Sequence, residues 1–272
     1  MPLTDKIEKT HRGTMVMFFV IDTSGSMLGR KLNAVNAAME EAIPVLRELG
    51  KETNVRINIA VLSFSSDVRW ITAGGPVDTE QFRWNYLEAE GFTGFGAACK
   101  VLNEKLSTKT IVNEFDHYIT PMVILLMDGD PTDEWKRYLA ELKQNEWFKP
   151  AVKFAIAIGD DANKDLLEEF TGAMETVLEA PEEEAPTLME KIKFVISQAS
   201  GVAANGPIVY TGGAGECDES AKEPRQEASG DGMGELREEM AALRSDIAAL
   251  RSDLAAFRAG TAAPDSKDEE EW

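Results

Sequence analysis

Cysteine is nearly missing from this chain. Cys99 and Cys217 are the two it has in 272 residues, one in a helix-like stretch and one in a polar segment, so a structural disulfide is not expected and both read as reduced thiols. Long apolar runs are missing as well. Met15 to Ile21 and Met122 to Met127 fall far short of the ~20 residues a membrane helix needs, and the polar start Met1 to Gly13 has no signal-peptide core. A cytoplasmic protein is expected. Positive charge is in deficit: the formal net charge is −20 and no long Lys/Arg cluster offsets it, which excludes nucleic acid and anionic membranes as partners. There is no Walker-type phosphate loop, and the two histidines, His11 and His117, stand where a surface histidine is the default reading.

What the chain does have is alternation. From residue 14 to about 199, strand-like apolar runs alternate with amphipathic stretches: Met15 to Ile21, Arg30 to Leu49, Arg56 to Ser63, a short Val68 to Ile71, then Ala97 to Leu106, Met122 to Met127, Glu134 to Asn145, Val152 to Ile158, Asn163 to Phe170, Thr176 to Glu179 and Pro186 to Ala199. Leu32, Val35, Met39, Ile43, Leu46 and Leu49 recur at three or four residues, one stripe facing a sheet. The pattern predicts an α/β, Rossmann-like, doubly wound and mostly parallel sheet with function at the carboxyl ends of its strands. Val68 to Ile71 follows Arg56 to Ser63 too closely for a helical crossover and should be one short antiparallel edge strand.

Two of the apolar runs end in acid. Asp22-Thr23-Ser24-Gly25-Ser26 follows the first and sets one carboxylate and two hydroxyls on a turn, ligands of the kind Mg²⁺ or Mn²⁺ takes. Asp128-Gly129-Asp130-Pro131-Thr132-Asp133 follows Met122 to Met127, and between them Glu90-Gly91-Phe92-Thr93-Gly94-Phe95-Gly96 surrounds one threonine with glycines.

With Asp-x-Ser-x-Ser, Thr and Asp-Gly in that order, the chain resembles a von Willebrand factor A domain with a metal-ion-dependent adhesion site. The resemblance implies Asp22, Ser24, Ser26, Thr93 and Asp128 as ligands of Mg²⁺ (or Mn²⁺), with a coordination position open to a Glu or Asp of a protein partner. Phe95, Trp135, Asp130 and Asp133, with Trp84 and Tyr86, are rim candidates because loop positions beside the ligands share a face; Asp133 reads equally as the cap of a helix starting near Glu134. The phrases Val20-Ile21-Asp22-Thr23-Ser24-Gly25-Ser26-Met27, Lys31-Leu32-Asn33-Ala34-Val35-Asn36 and Ile59-Ala60-Val61-Leu62-Ser63-Phe64 look like bacterial stand-alone proteins of the tellurium-resistance TerY type, a group associated with stress-response systems.

The tail repeats a heptad. Met233, Met240, Ile247 and Leu254 occupy a, Leu236, Leu243, Leu250 and Phe257 occupy d, with arginine at e (Arg237, Arg244, Arg251, Arg258) and acid at g (Glu239, Asp246, Asp253). Those charges favour a parallel coiled coil and a homo-oligomer, a dimer before a trimer. The expected organisation is an N-terminal arm (1–13), the α/β domain (14–199), a Gly- and Ser-rich flexible linker (200–232), the coiled-coil helix (233–260) and an acidic tail (261–272). Ile208-Val209-Tyr210 reads as an incidental apolar patch in the linker, with docking on the α/β domain as the alternative. The expected function is metal-dependent protein interaction without catalysis. The alternatives are Mg²⁺-dependent phosphotransfer with Asp22 as nucleophile, weakened because Ser24 stands where a second acid is wanted, and a scaffold whose metal site is idle.

Overall fold

The computed structural model describes residues 13–72, 75–107, 118–181, 185–205 and 208–209. In chain order its elements are β1 (Thr14–Asp22), α1 (Arg30–Thr53), β2 (Arg56–Phe64), β3 (Val68–Trp70), β4 (Val77–Asp78), α2 (Phe95–Lys105), β5 (Tyr118–Met127), α3 (Trp135–Leu142), β6 (Val152–Ile158), α4 (Lys164–Thr171), β7 (Val177–Ala180), α5 (Ala185–Asn205) and β8 (Ile208–Val209). Every residue of β1 is buried, as its unbroken run of apolar and aromatic side chains requires of a strand covered on both faces.

The strands order as β3-β2-β1-β5-β6-β7. β1, β2, β5, β6 and β7 are parallel and β3 is antiparallel to β2. Side chains leave β1 alternately. Met15, Met17, Phe19 and Ile21 pack with Leu32, Val35, Met39 and Ile43 of α1 and with Leu188 and Ile192 of α5. Val16, Phe18 and Val20 pack on the other face with Ala98 and Leu102 of α2, Leu139 of α3 and Phe170 of α4. Each such large apolar side chain contributes about 1.5–3 kcal/mol by leaving water. All six stripe residues of α1 are buried.

The structure adds detail that periodicity could not carry. β4 pairs antiparallel with β2 beyond β3. The helix expected to close at Ala199 continues to Asn205. Ile208 and Val209, assigned to the linker, form β8 against Tyr118 and Ile119, where β5 has not yet met β6, whose pairing starts at Met122. The β1–β5 register shifts between Met15 and Met17, opposite Thr120 and Pro121, and a proline with no N–H to donate is accommodated at such an irregularity. The arm over 1–12 and everything after 209, including the coiled-coil positions, lie outside the described residues.

Candidate functional site

The chain departs from β1 and β5 toward opposite edges of the sheet, so this adjacent pair is the switch in strand order, where parallel sheets open a crevice. Ile21 lies opposite Leu126; Asp22 is the last residue of β1 and Asp128 the first past β5. Both carboxylates are buried, at 0% and 1% exposure. The Ser24 N–H donates to Asp22 Oδ1 at 2.8 Å, the Ser24 and Ser26 hydroxyls are 2.9 Å apart, and the Ser26 hydroxyl donates to Asp128 Oδ1 at 2.7 Å. Four of the five residues singled out in the sequence therefore form one hydrogen-bonded cluster. The turn over Gly25–Met27 is 3-10 helical, which brings the two serines onto the same side of the loop.

Thr93 enters through the backbone. Its carbonyl accepts the Thr132 N–H at 2.9 Å and the Thr132 hydroxyl at 3.2 Å, while two residues earlier the Gly91 carbonyl accepts the Gly25 N–H at 2.9 Å. The Glu90 N–H donates to the Thr23 carbonyl at 2.8 Å. The three loops are thus joined main chain to main chain. Gly94 permits this approach: a Cβ there would stand 2.5 Å from the Ser65 carbonyl oxygen, to which the Gly94 N–H donates. Thr93 is 7% exposed, and its hydroxyl has no partner among the described residues.

Lys31, near the start of α1, is the site residue that sequence reasoning missed. Its Nζ lies 2.8 Å from Asp128 Oδ2, with both side chains buried. A lysine on the first turn of an amphipathic helix reads as solvated, and only the tertiary placement of α1 over the strand ends shows otherwise. Among the described residues Asp22 has no such counter-ion in contact. Its Oδ2 is buried without a hydrogen-bond partner. Burial, above all, pushes the Asp22 carboxyl up to about 7; the Ser24 N–H and hydroxyl pull it down, Asp128 raises it and Lys31 lowers it.

The expected rim needs correction. Phe95 is 1% exposed and packs against Phe64, Trp135 and Phe170 at ring-centroid distances of 6.0, 6.3 and 6.1 Å, because the first turn of α2 faces the sheet. It is core. Asp133 caps α2, not the helix that follows it: its carboxylate accepts the Gly96 and Ala97 N–H groups at 2.9 and 3.0 Å, at the end of the helix where negative charge is favoured. Asp130 is exposed and accepts a bond from Asn163. Trp135 is half-buried against the second core layer and Trp84 against the first, and Tyr86 is exposed with its hydroxyl on Glu40. The exposed apolar side chains at the loops are Leu28 and Phe92, each 73% exposed. Leu28 follows the serine turn and Phe92 precedes Thr93.

An open, doubly wound sheet with an oxygen-lined crevice at its switch point defines a class of α/β domains rather than one protein. The von Willebrand factor type A domain matches residues 17–191, more than half of the chain, and the chain belongs to that family. Solved structures agree on the fold. A von Willebrand factor type A protein from Catenulispora acidiphila superposes with a TM-score of 0.52 at 20% identity, covering 70% of this chain and 43% of that one. The von Willebrand domain of the type V pilus tip protein Mfa5 from Porphyromonas gingivalis gives 0.53 at 11% identity, covering 72% of this chain and 98% of that one. The pilus adhesin SpaC from Lactobacillus rhamnosus GG gives 0.51 at 14% identity, covering 72% and 30%. This chain spans less than half the length of the first and third of these. No curated protein matches it. Among the described residues no helix is long and apolar enough to cross a membrane.

Proposed function

We propose that this domain is a metal-dependent protein-interaction module in which Asp22, Ser24, Ser26, Thr93 and Asp128 hold Mg²⁺ or Mn²⁺ for an acidic side chain of a partner. The observation that carries this reading is the orphaned Asp22 Oδ2, buried without a partner inside a cluster of carboxylate and hydroxyl oxygens. A buried carboxylate oxygen left unmatched is costly, and a hard divalent cation is the group such oxygens fit. Among the described residues no three His, Cys, Asp or Glu side chains converge as a metal cluster. The donor set is instead two acids with hydroxyls, which suits a docking point better than a closed cage.

Bound there, a cation would supply a positive centre with room for one more oxygen ligand. The chain sets how positive that centre is. Lys31 cancels one of the two carboxylate charges, so a divalent ion would leave the cluster net positive, and an anionic ligand is favoured over a neutral one. Leu28 and Phe92 flank the opening as apolar anchors. A parallel coiled coil over residues 233–260, through Leu236, Met240, Leu243, Ile247, Leu250, Leu254 and Phe257, would pair two such heads and add avidity. The chemistry asks for no catalytic group, and the TerY-like phrases support a role in a bacterial stress-response system in the cytoplasm.

The test is thermal. At free Mn²⁺ 100-fold above its dissociation constant the fold gains about 2.7 kcal/mol, a rise of roughly 5–11 °C for a domain of this size, and Asp22→Ala abolishes it. An equal melting temperature with Mn²⁺ and with EDTA in the wild type would sink the reading. Light scattering with and without residues 233–272 tests self-association separately; a monomer in both cases removes that part.

A further inference from the structure

A cleft of about 460 Å³ opens beside the first loop, between β3 and the extended stretch 85–90. Thr23, the residue between Asp22 and Ser24, lies in its wall. Ser63 and Ser65 also line it; they are 4% and 6% exposed, and neither hydroxyl has a hydrogen-bond partner among the described residues. The rest of the lining mixes Trp70, Ile71, Asn85, Tyr86 and Leu87 with four charged side chains. Arg69 is ion-paired to Glu90 at 2.5 Å, while the carboxylates of Asp67 and Glu88 have no partner among the described residues. The cleft therefore offers buried acceptor oxygens at depth and three carboxylates against one guanidinium around them.

We infer that this cleft is a subsite for an arginine side chain, presented by the partner whose acidic residue meets the metal site. Unmatched hydroxyls and spare carboxylates at different depths call for a cation with several divergent donors. A guanidinium carries five N–H groups in a fixed fork, whereas an ammonium concentrates three at one point. An acidic side chain is repelled by Asp67 and Glu88, and an apolar one leaves the two serine hydroxyls unsatisfied. The arginine subsite stands on the cleft alone; that it serves the same partner rests on the metal-site reading above.

The two are tested apart. N-acetyl-arginine amide is titrated into the full chain in EDTA while amide resonances of Ser63, Ser65 and Glu88 are followed, with N-acetyl-glutamate amide as the control. Saturable shifts with arginine alone are expected, weakened tenfold or more in the Asp67→Asn/Glu88→Gln variant, whose substitutions are exposed. No arginine response, an equal response to both probes, or an unchanged double variant overturns the subsite. In Mg²⁺, a blocked peptide with Asp three residues before Arg is then compared by calorimetry with the same peptide carrying Ala for Arg. At least tenfold tighter binding of the first is expected, and equal affinities overturn the shared partner. If arginine binds in EDTA but metal leaves the melting temperature unchanged, the metal reading fails while the subsite stands.

Discussion

Replacing Lys31 by methionine tests the electrostatics of the site most directly. The substitution keeps most of the apolar stem and deletes the charge, leaving Asp128 buried beside an empty space where Nζ had stood 2.8 Å away. Breaking a buried ion pair from one side costs about 3–5 kcal/mol, and at 2–4 °C per kcal/mol for a domain of this size the melting temperature in EDTA should fall by roughly 6–20 °C. Lys51→Met is the control: its 3.3 Å contact with Glu48 is exposed on both sides, so about 0–1 kcal/mol is at stake. Mn²⁺ should then raise the melting temperature of Lys31→Met more than that of the wild type, because two uncompensated carboxylates attract a cation more strongly than two carboxylates and an ammonium. Adding Asp128→Asn should recover part of the loss, a coupling that a double-mutant cycle measures. Equal stability of wild type and Lys31→Met in EDTA, or a smaller response to Mn²⁺ in the variant, would refute the reasoning.

Asp22 gives a pH dependence. Its folded-state carboxyl sits near 7 against an ordinary 3.8, so between those values the folded state holds a proton that the unfolded state has lost. In EDTA its contribution favours folding at low pH and disappears as pH rises from about 4 to about 7, by roughly 4 kcal/mol; subtracting the urea-melt profile of Asp22→Asn isolates it, and parallel profiles would contradict it. Phe95→Ala should cost about 3–5 kcal/mol in urea melts, whereas Phe92→Ala should leave stability within about 0.5 kcal/mol and weaken capture of an acidic partner. The Cys99 thiol, pushed up by burial and by Asp133, should resist a thiol-specific reagent at pH 8 until urea unfolds the domain; labelling at the rate of a free thiol would show that α2 opens in the native state.

The long elements were legible because burial leaves a period in the sequence. Six of six stripe positions in α1 follow from spacing, the apolar run Met15 to Ile21 marks all of β1 but its two end residues, and an acid at the end of two apolar runs located both carboxylates. What was not legible depends on contacts between distant segments. β4 and β8 are two residues each, too short for any period, and exist because β2 and β5 had unpaired edges beside them. Phe95 and Phe92 are equivalent in sequence, each next to a glycine in the threonine loop, but one begins a helix that faces the sheet and the other precedes it in the open. Lys31 looks like a solvated charge until folding sets it against a strand end, and Asp133 reads as a rim acid or the cap of the helix after it until folding sets it against the start of α2. Even the position of Thr93 is written in bonds from the Thr132 N–H and hydroxyl to its main-chain carbonyl, which no periodicity records.

Asn36 ties these parts together. It is 2% exposed, and its amide both donates to the Leu87 carbonyl and accepts from the Leu87 N–H and the Trp84 ring, so one side chain of α1 takes the place of a neighbouring strand for the stretch that forms the cleft wall. Five residues earlier on the same helix, Lys31 grips Asp128. The helix is therefore a common lever arm. Any coupling between an occupant of the crevice and one of the cleft that acts through α1 is reciprocal, of the same sign and size in both directions.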